Sequence, residues 1–172
     1  MSDTETMAGQ VCWVELMTAS AEGAKKFYSE LFGWEFGEPM ADGGDYSMAA
    51  LGGQHVAGMF ELNDELKSQG VPPHWMPYIK VPDVDATAAK VTALGGTLVR
   101  EPFDVMEIGR MAVFTDPTGA TLSLWQGKGD GVGFKAGEAG SFSWTELMTR
   151  DVDAAGKFYA ELLGWNPQTS DM

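Results

Sequence analysis

From Val11 to Thr18 the chain is apolar and rich in β-branched and aromatic residues, which predicts a strand. Beyond it Ala24, Phe27, Tyr28, Leu31 and Phe32 recur at the spacing of one helix face, with Ser20 placed to cap the start and Gly33 to end it. Three short strands follow at 34–36, 46–51 and 56–62, divided by the turn signals Asp42-Gly43-Gly44 and Gly52-Gly53. A polar stretch from Asn63 to Pro73 leads into a second round of the same order. It has a strand at 75–81, a helix capped by Asp83 and running to Leu94, and strands at 97–101, 111–115 and 121–126, with a turn at Asp116-Pro117-Thr118-Gly119. The pattern predicts an α+β domain of paired βαβββ modules over residues 10–127, one module at about 10–62 and the other at 74–127, preceded by a tail at 1–9.

The opening of the domain recurs later in the chain. Residues 12–34 read CWVELMTASAEGAKKFYSELFGW and residues 143–165 read SWTELMTRDVDAAGKFYAELLGW, aligned without a gap. Trp13 thus matches Trp144, Glu15 matches Glu146, the pair Phe27-Tyr28 matches Phe158-Tyr159, and Gly33-Trp34 matches Gly164-Trp165. In the second copy Asp151 is the expected cap, Ala155, Phe158, Tyr159, Leu162 and Leu163 form the stripe, and Gly164 ends it. Residues 128–140, rich in glycine and charge, read as a linker, and 141–172 as the incomplete start of a second domain of the same kind. A lone strand and helix cannot cover their own apolar faces, so this segment is expected to dock on the first domain, pair between chains, or stay partly disordered.

Charge removes some partners. The 172 residues carry 25 acidic against 11 basic side chains, a formal net charge of −14, with no basic cluster, so nucleic acid is not an expected partner. The N-terminal MSDTETMAGQ has no leader pattern and no apolar run approaches spanning length, which predicts no membrane association and a cytoplasmic location. Cys12, the single cysteine, falls in the first strand, where a buried and inert thiol is expected.

The strand feeding a helix with a Phe-Tyr pair and a Leu-Phe-Gly-Trp end, together with the Asp-Pro-x-Gly turn before the last strand, resembles the vicinal oxygen chelate superfamily of glyoxalase, bleomycin-resistance and extradiol-dioxygenase proteins. The spacing looks closest to its tandem glyoxalase-like members, often labelled hydroxylases. The resemblance implies paired βαβββ modules whose curved sheets enclose a cleft with a divalent metal. Carried over residue by residue, the implied metal ligands fall on Trp13, Met76 and Ser123, and the fourth strand offers only neutral residues at 56–59. Tryptophan has no lone pair for a metal, and serine and methionine are poor ligands for hard or borderline divalent ions. The cofactor therefore stays unknown, a metal at the usual positions is not expected, and His55, His74 and Glu15 are the fallback ligand set.

Side chains two apart share a strand face, so Trp13 brings Glu15 and Met17 with it, Met76 brings Tyr78 and Lys80, and Ser123 brings Thr121 and Trp125. Trp13, Met17, Met76, Tyr78, Ser123 and Trp125 are thus the candidate ligand-binding wall. Glu15 is the candidate catalytic group, either as a general base with a raised pKa or as an ionised partner for a cation. The plain alternatives are core packing for the tryptophans and a structural hydrogen bond or a Lys80 pair for Glu15. Three functions stay open: a binder of a small aromatic or cationic molecule, an enzyme (a lyase or dioxygenase with relocated ligands, or a metal-free catalyst using Glu15), and a non-catalytic assembly module that forms a homo-oligomer.

Overall fold

The computed structural model describes residues 8–38, 46–129 and 133–170, so the Asp42-Gly43-Gly44 turn and most of the tail lie outside the described residues. The elements run β1 (Val11–Thr18), α1 (Ala21–Phe32), β2 (Glu35–Phe36), β3 (Ser47–Leu51), β4 (Gln54–Glu61), α2 (Asp64–Ser68), β5 (His74–Lys80), α3 (Val84–Ala93), β6 (Thr97–Val105), β7 (Gly109–Thr115), β8 (Thr121–Gly127) and α4 (Val152–Leu163). This is the expected α+β architecture of paired βαβββ modules. The addition is α2, which forms in the polar stretch because the Asn63 side chain accepts the Leu66 N–H (2.9 Å) and so caps one turn.

The chain divides into two compact units. The first comprises Trp13–Pro77 and Val132–Thr145; the second comprises Met1–Cys12, Tyr78–Gly131 and Glu146–Met172. In the first, the strand order is β2-β3-β4-β1, with β1 parallel to β4 and Glu15 opposite Gly58. Helix α1 begins where Ser20 Oγ accepts the Gly23 N–H (3.2 Å) and ends at Gly33, whose φ of 72° suits a residue without Cβ. Residues 133–140, expected as part of a linker, fold along this unit. The Lys135 N–H donates to the His55 carbonyl (2.8 Å), and the Trp34 indole donates to the Gly140 carbonyl (2.7 Å).

In the second unit the order is β5-β8-β7-β6, again with a parallel central pair and antiparallel flanks. Its core joins Val84, Ala88 and Val91 of α3, Ala112, Phe114 and Leu124 of the sheet, and Ala155, Phe158, Tyr159 and Leu162 of α4. Each large apolar side chain buried here contributes on the order of 1.5–3 kcal/mol. The docking also has a polar anchor. The Tyr159 hydroxyl donates to Asp116 Oδ2 (2.8 Å), while Asp116 Oδ1 accepts from Thr118 N–H (2.8 Å), Thr118 Oγ1 (2.9 Å) and Ala120 N–H (3.0 Å). Burial alone would raise the Asp116 carboxyl, but the Ala120, Tyr159 and Thr118 donors outweigh it and hold the group below its ordinary value.

The two copies of the repeat differ, and one expectation for the second is corrected. The stripe of α1 is not a core face: no α1 residue is buried, and Phe27 and Leu31 are 56% and 55% exposed, whereas Phe158 and Leu162 of α4 are 3% and 6% exposed. The strand expected to open the second copy also fails to form, and Trp144 is 79% exposed. The reason is pairing: β1 has β4 beside it, and residues 143–149 have no ladder partner among the described residues. Of the three fates open to the segment, docking is the one the helix takes.

Candidate functional site

In the first unit the side chains of Trp13 and Glu15, two apart on β1, lie on one face of the strand, both buried, at 8% and 6% exposure. The residue that completes this face is Tyr46, just before β3. Its hydroxyl accepts from the Trp13 indole Nε1 (3.1 Å) and is hydrogen-bonded to the Glu15 carboxylate. Burial first, and then the Glu15 charge, push the phenol above its ordinary value, so it stays protonated and serves Glu15 as a donor.

This relay depends on a missing side chain. Gly58 lies opposite Glu15 on β4, and a Cβ there would overlap the Tyr46 hydroxyl and crowd the Trp13 Nε1. Glycine is present because an aromatic ring passes over the strand at that point. Around the relay, Phe60 stacks near Tyr46 at 6.5 Å between centroids and Phe134 lies 5.6 Å from Trp13. The result is a buried carboxylate with aromatic neighbours and one hydroxyl donor. Met17 is half-buried on the same strand, and Met76, also in this unit, is buried.

Tyr78, Ser123 and Trp125 belong to the second unit. Tyr78 is in register with Ser123, and its ring meets Trp125 edge-on at 6.2 Å. Ser123 is fully buried, and its Oγ has no hydrogen-bond partner among the described residues, a condition that costs about 1–3 kcal/mol when nothing compensates it. Gly109 has no room for a side chain, since a Cβ would strike the Trp125 ring.

The donors do not suit the divalent metal that the resemblance implies. Among the described residues no group of three His, Cys, Asp or Glu side chains could hold a metal ion, and that includes the fallback set. His74 instead places Nδ1 at 2.7 Å from the Pro72 carbonyl oxygen. Sequence reasoning missed Tyr46 and Phe134. Tyr46 had a readable sign in the glycine at 58, set between the apolar residues Val56, Ala57, Met59 and Phe60 of β4; Phe134 had none, lying in a glycine-rich stretch.

The arrangement of parallel-centred βαβββ modules defines the class, and sequence comparison agrees. The glyoxalase/bleomycin resistance protein/dioxygenase superfamily profile matches residues 10–124, and the chain belongs to that superfamily. It is 40% identical over 163 residues to CFP32 of Mycobacterium tuberculosis, which carries a provisional glyoxylase name; the match takes in 94% of this chain and 62% of that protein. It is 33% identical over 181 residues to the anthracycline biosynthesis protein DauV of a Streptomyces species, covering 95% of this chain and 64% of the relative. The chain therefore spans less than two thirds of these relatives. Among solved structures, the Mn(II)-bound glyoxalase from Novosphingobium aromaticivorans superposes with a TM-score of 0.65 at 18% identity, over 92% of this chain and 54% of that one, a likeness of fold alone. Among the described residues no helix is long and apolar enough to cross a membrane.

Proposed function

We propose that this glyoxalase-like protein binds a small aromatic or cationic organic molecule at the Trp13–Tyr46–Glu15 relay, without a metal. The observation that carries the reading is a buried carboxylate set among aromatic rings and given one hydroxyl donor, a combination that suits a flat ligand with a positive or hydrogen-bond-donating group. Two further points support it: the donor set is wrong for a divalent ion, and DauV is named for anthracycline biosynthesis. Within the other unit, Tyr78, Ser123 and Trp125 lie together on β5 and β8.

The test is tryptophan quenching by a panel of planar amines and their uncharged analogues, repeated with Glu15→Gln. Cation-selective binding that Glu15→Gln weakens by roughly tenfold or more supports the reading. Binding indifferent to Glu15, or none across the panel, refutes it. A second reading, general-base catalysis by Glu15, is favoured by the same buried carboxylate and by the glyoxylase name of CFP32. It requires turnover that Glu15→Gln abolishes.

A further inference from the structure

The sequence repeat places one surface in two states. In α4 the aromatic triad Phe158, Tyr159 and Trp165 has its first two rings edge-on at 5.1 Å and 83°, and its last two stacked at 5.3 Å and 23°. In α1 the matching triad Phe27, Tyr28 and Trp34 shows 5.0 Å and 84°, then 5.1 Å and 20°. Even the indole bonds correspond. Trp165 donates to the Gly9 carbonyl (2.8 Å) and Trp34 donates to the Gly140 carbonyl (2.7 Å), and the repeat alignment that pairs Trp34 with Trp165 also pairs Gly9 with Gly140. Both glycines hold positive φ, 84° and 78°. The two helices are therefore the same part in the same internal conformation.

They differ in what they meet. The α4 face lies on Ala112, Phe114 and Leu124, with Phe158 at 6.1 Å from Phe114 and the Tyr159 hydroxyl bonded to the Asp116 carboxylate. The α1 face carries Phe27, Leu31 and Phe32, all exposed, and Tyr28 meets the rings of Phe27, Phe32, Trp34 and Trp75 and accepts a 3.3 Å bond from Trp75 Nε1. An apolar face built to this pattern and left in water is a docking surface.

We propose that α1 is a seat for one kind of partner: a further βαβββ unit with the chemistry of β5–β8. Such a unit presents an aromatic and aliphatic sheet face to Phe27 and Leu31, and the carboxylate of an Asp-Pro-x-Gly turn to the Tyr28 hydroxyl. The occupant follows from α4, whose matching stripe, with Leu163 in the place of Phe32, shows which surface fits.

The unmodified chain supplies the probe. A partner chain carrying Phe158→Asp and Leu162→Asp uncovers its β5–β8 face, and Phe27→Asp in that same chain silences its own α1. Mixed with the unmodified chain, it is expected to form a 1:1 complex in sedimentation, weakened by roughly tenfold or more when the unmodified partner acquires Phe27→Asp. No complex with a variant whose circular dichroism is native, or a complex indifferent to Phe27→Asp, overturns the proposal. A homodimer of the unmodified chain dissolved by Phe27→Asp would overturn it too, since a second copy would then be the occupant. If the uncovered variant does not fold, residues 35–127 are appended again after Trp165, which tethers a second β5–β8 unit in the order of the repeat. Phe27→Asp is then expected to lower the melting temperature of the extended chain and leave the 172-residue chain unchanged. Equal shifts in both would refute the seat.

Discussion

Replacing Tyr159 with phenylalanine removes one oxygen and leaves the ring packed against Phe158 and Trp165. The lost hydroxyl is the donor to Asp116 Oδ2; the three other donors to this carboxylate all address Oδ1. Asp116 is 3% exposed, so water cannot readily replace that donor. A hydrogen bond to a buried charged acceptor contributes about 1.5–3 kcal/mol, so Tyr159→Phe is expected to cost about 2 kcal/mol. For a chain of this size that corresponds to a fall in melting temperature of roughly 4–8 °C. The control is the same substitution at the matching position. Tyr28→Phe loses only a 3.3 Å bond from the Trp75 indole at an exposed site and is expected to cost no more than about 0.5 kcal/mol. Urea unfolding at neutral pH measures both, with an unchanged slope certifying that only stability moved. The difference also has a pH signature. Asp116 is held low in the fold, so its contribution is full above the unfolded value of about 3.9 and is lost as pH falls through the lower folded value. The gap between Tyr159→Phe and the unmodified chain must therefore close in acid. Equal costs at positions 28 and 159, or a Tyr159→Phe cost below about 0.5 kcal/mol, would refute the account of how α4 docks.

Two other expectations concern the first strand. Gly58→Ala drives a methyl into the Tyr46 hydroxyl and the Trp13 indole, so it should weaken ligand binding at least as much as Glu15→Gln does and shift the tryptophan emission maximum; unaltered binding would show that the relay tolerates displacement. Cys12 is half-buried and desolvation pushes its thiol up to about 12, so a disulfide reagent at pH 8 should label it far more slowly than a free thiol. Rapid stoichiometric labelling of the folded chain would contradict that burial.

Much of this fold was legible because local chemistry and tertiary structure agree. The runs that predicted β1, α1, α3 and α4 form those elements, with Ser20, Asp83 and Asp151 as the caps and Gly33 and Gly164 in the left-handed conformation. Where the reading failed, the missing information was a partner. The periodicity of α1 announces an apolar stripe but not what covers it, and the pattern at 143–149 announces a strand without supplying a ladder. The site was half visible for the same reason. Alternation placed Trp13 and Glu15 together, but Tyr46 reaches them through tertiary packing, over a glycine whose meaning appears only once the strands are paired.

The anchor between Asp116 and Tyr159 joins residues 43 apart in sequence, and the sheet face it closes consists of Ala112, Phe114 and Leu124. A ribosome adding about 5–20 residues per second completes that sheet seconds before it delivers the helix that covers it. For that interval the nascent chain carries a finished sheet whose apolar side is covered by α3 but not yet by α4. That is the moment at which chaperone capture or coaggregation with neighbouring nascent chains competes with folding, and the speed of translation across α4 becomes a determinant of yield.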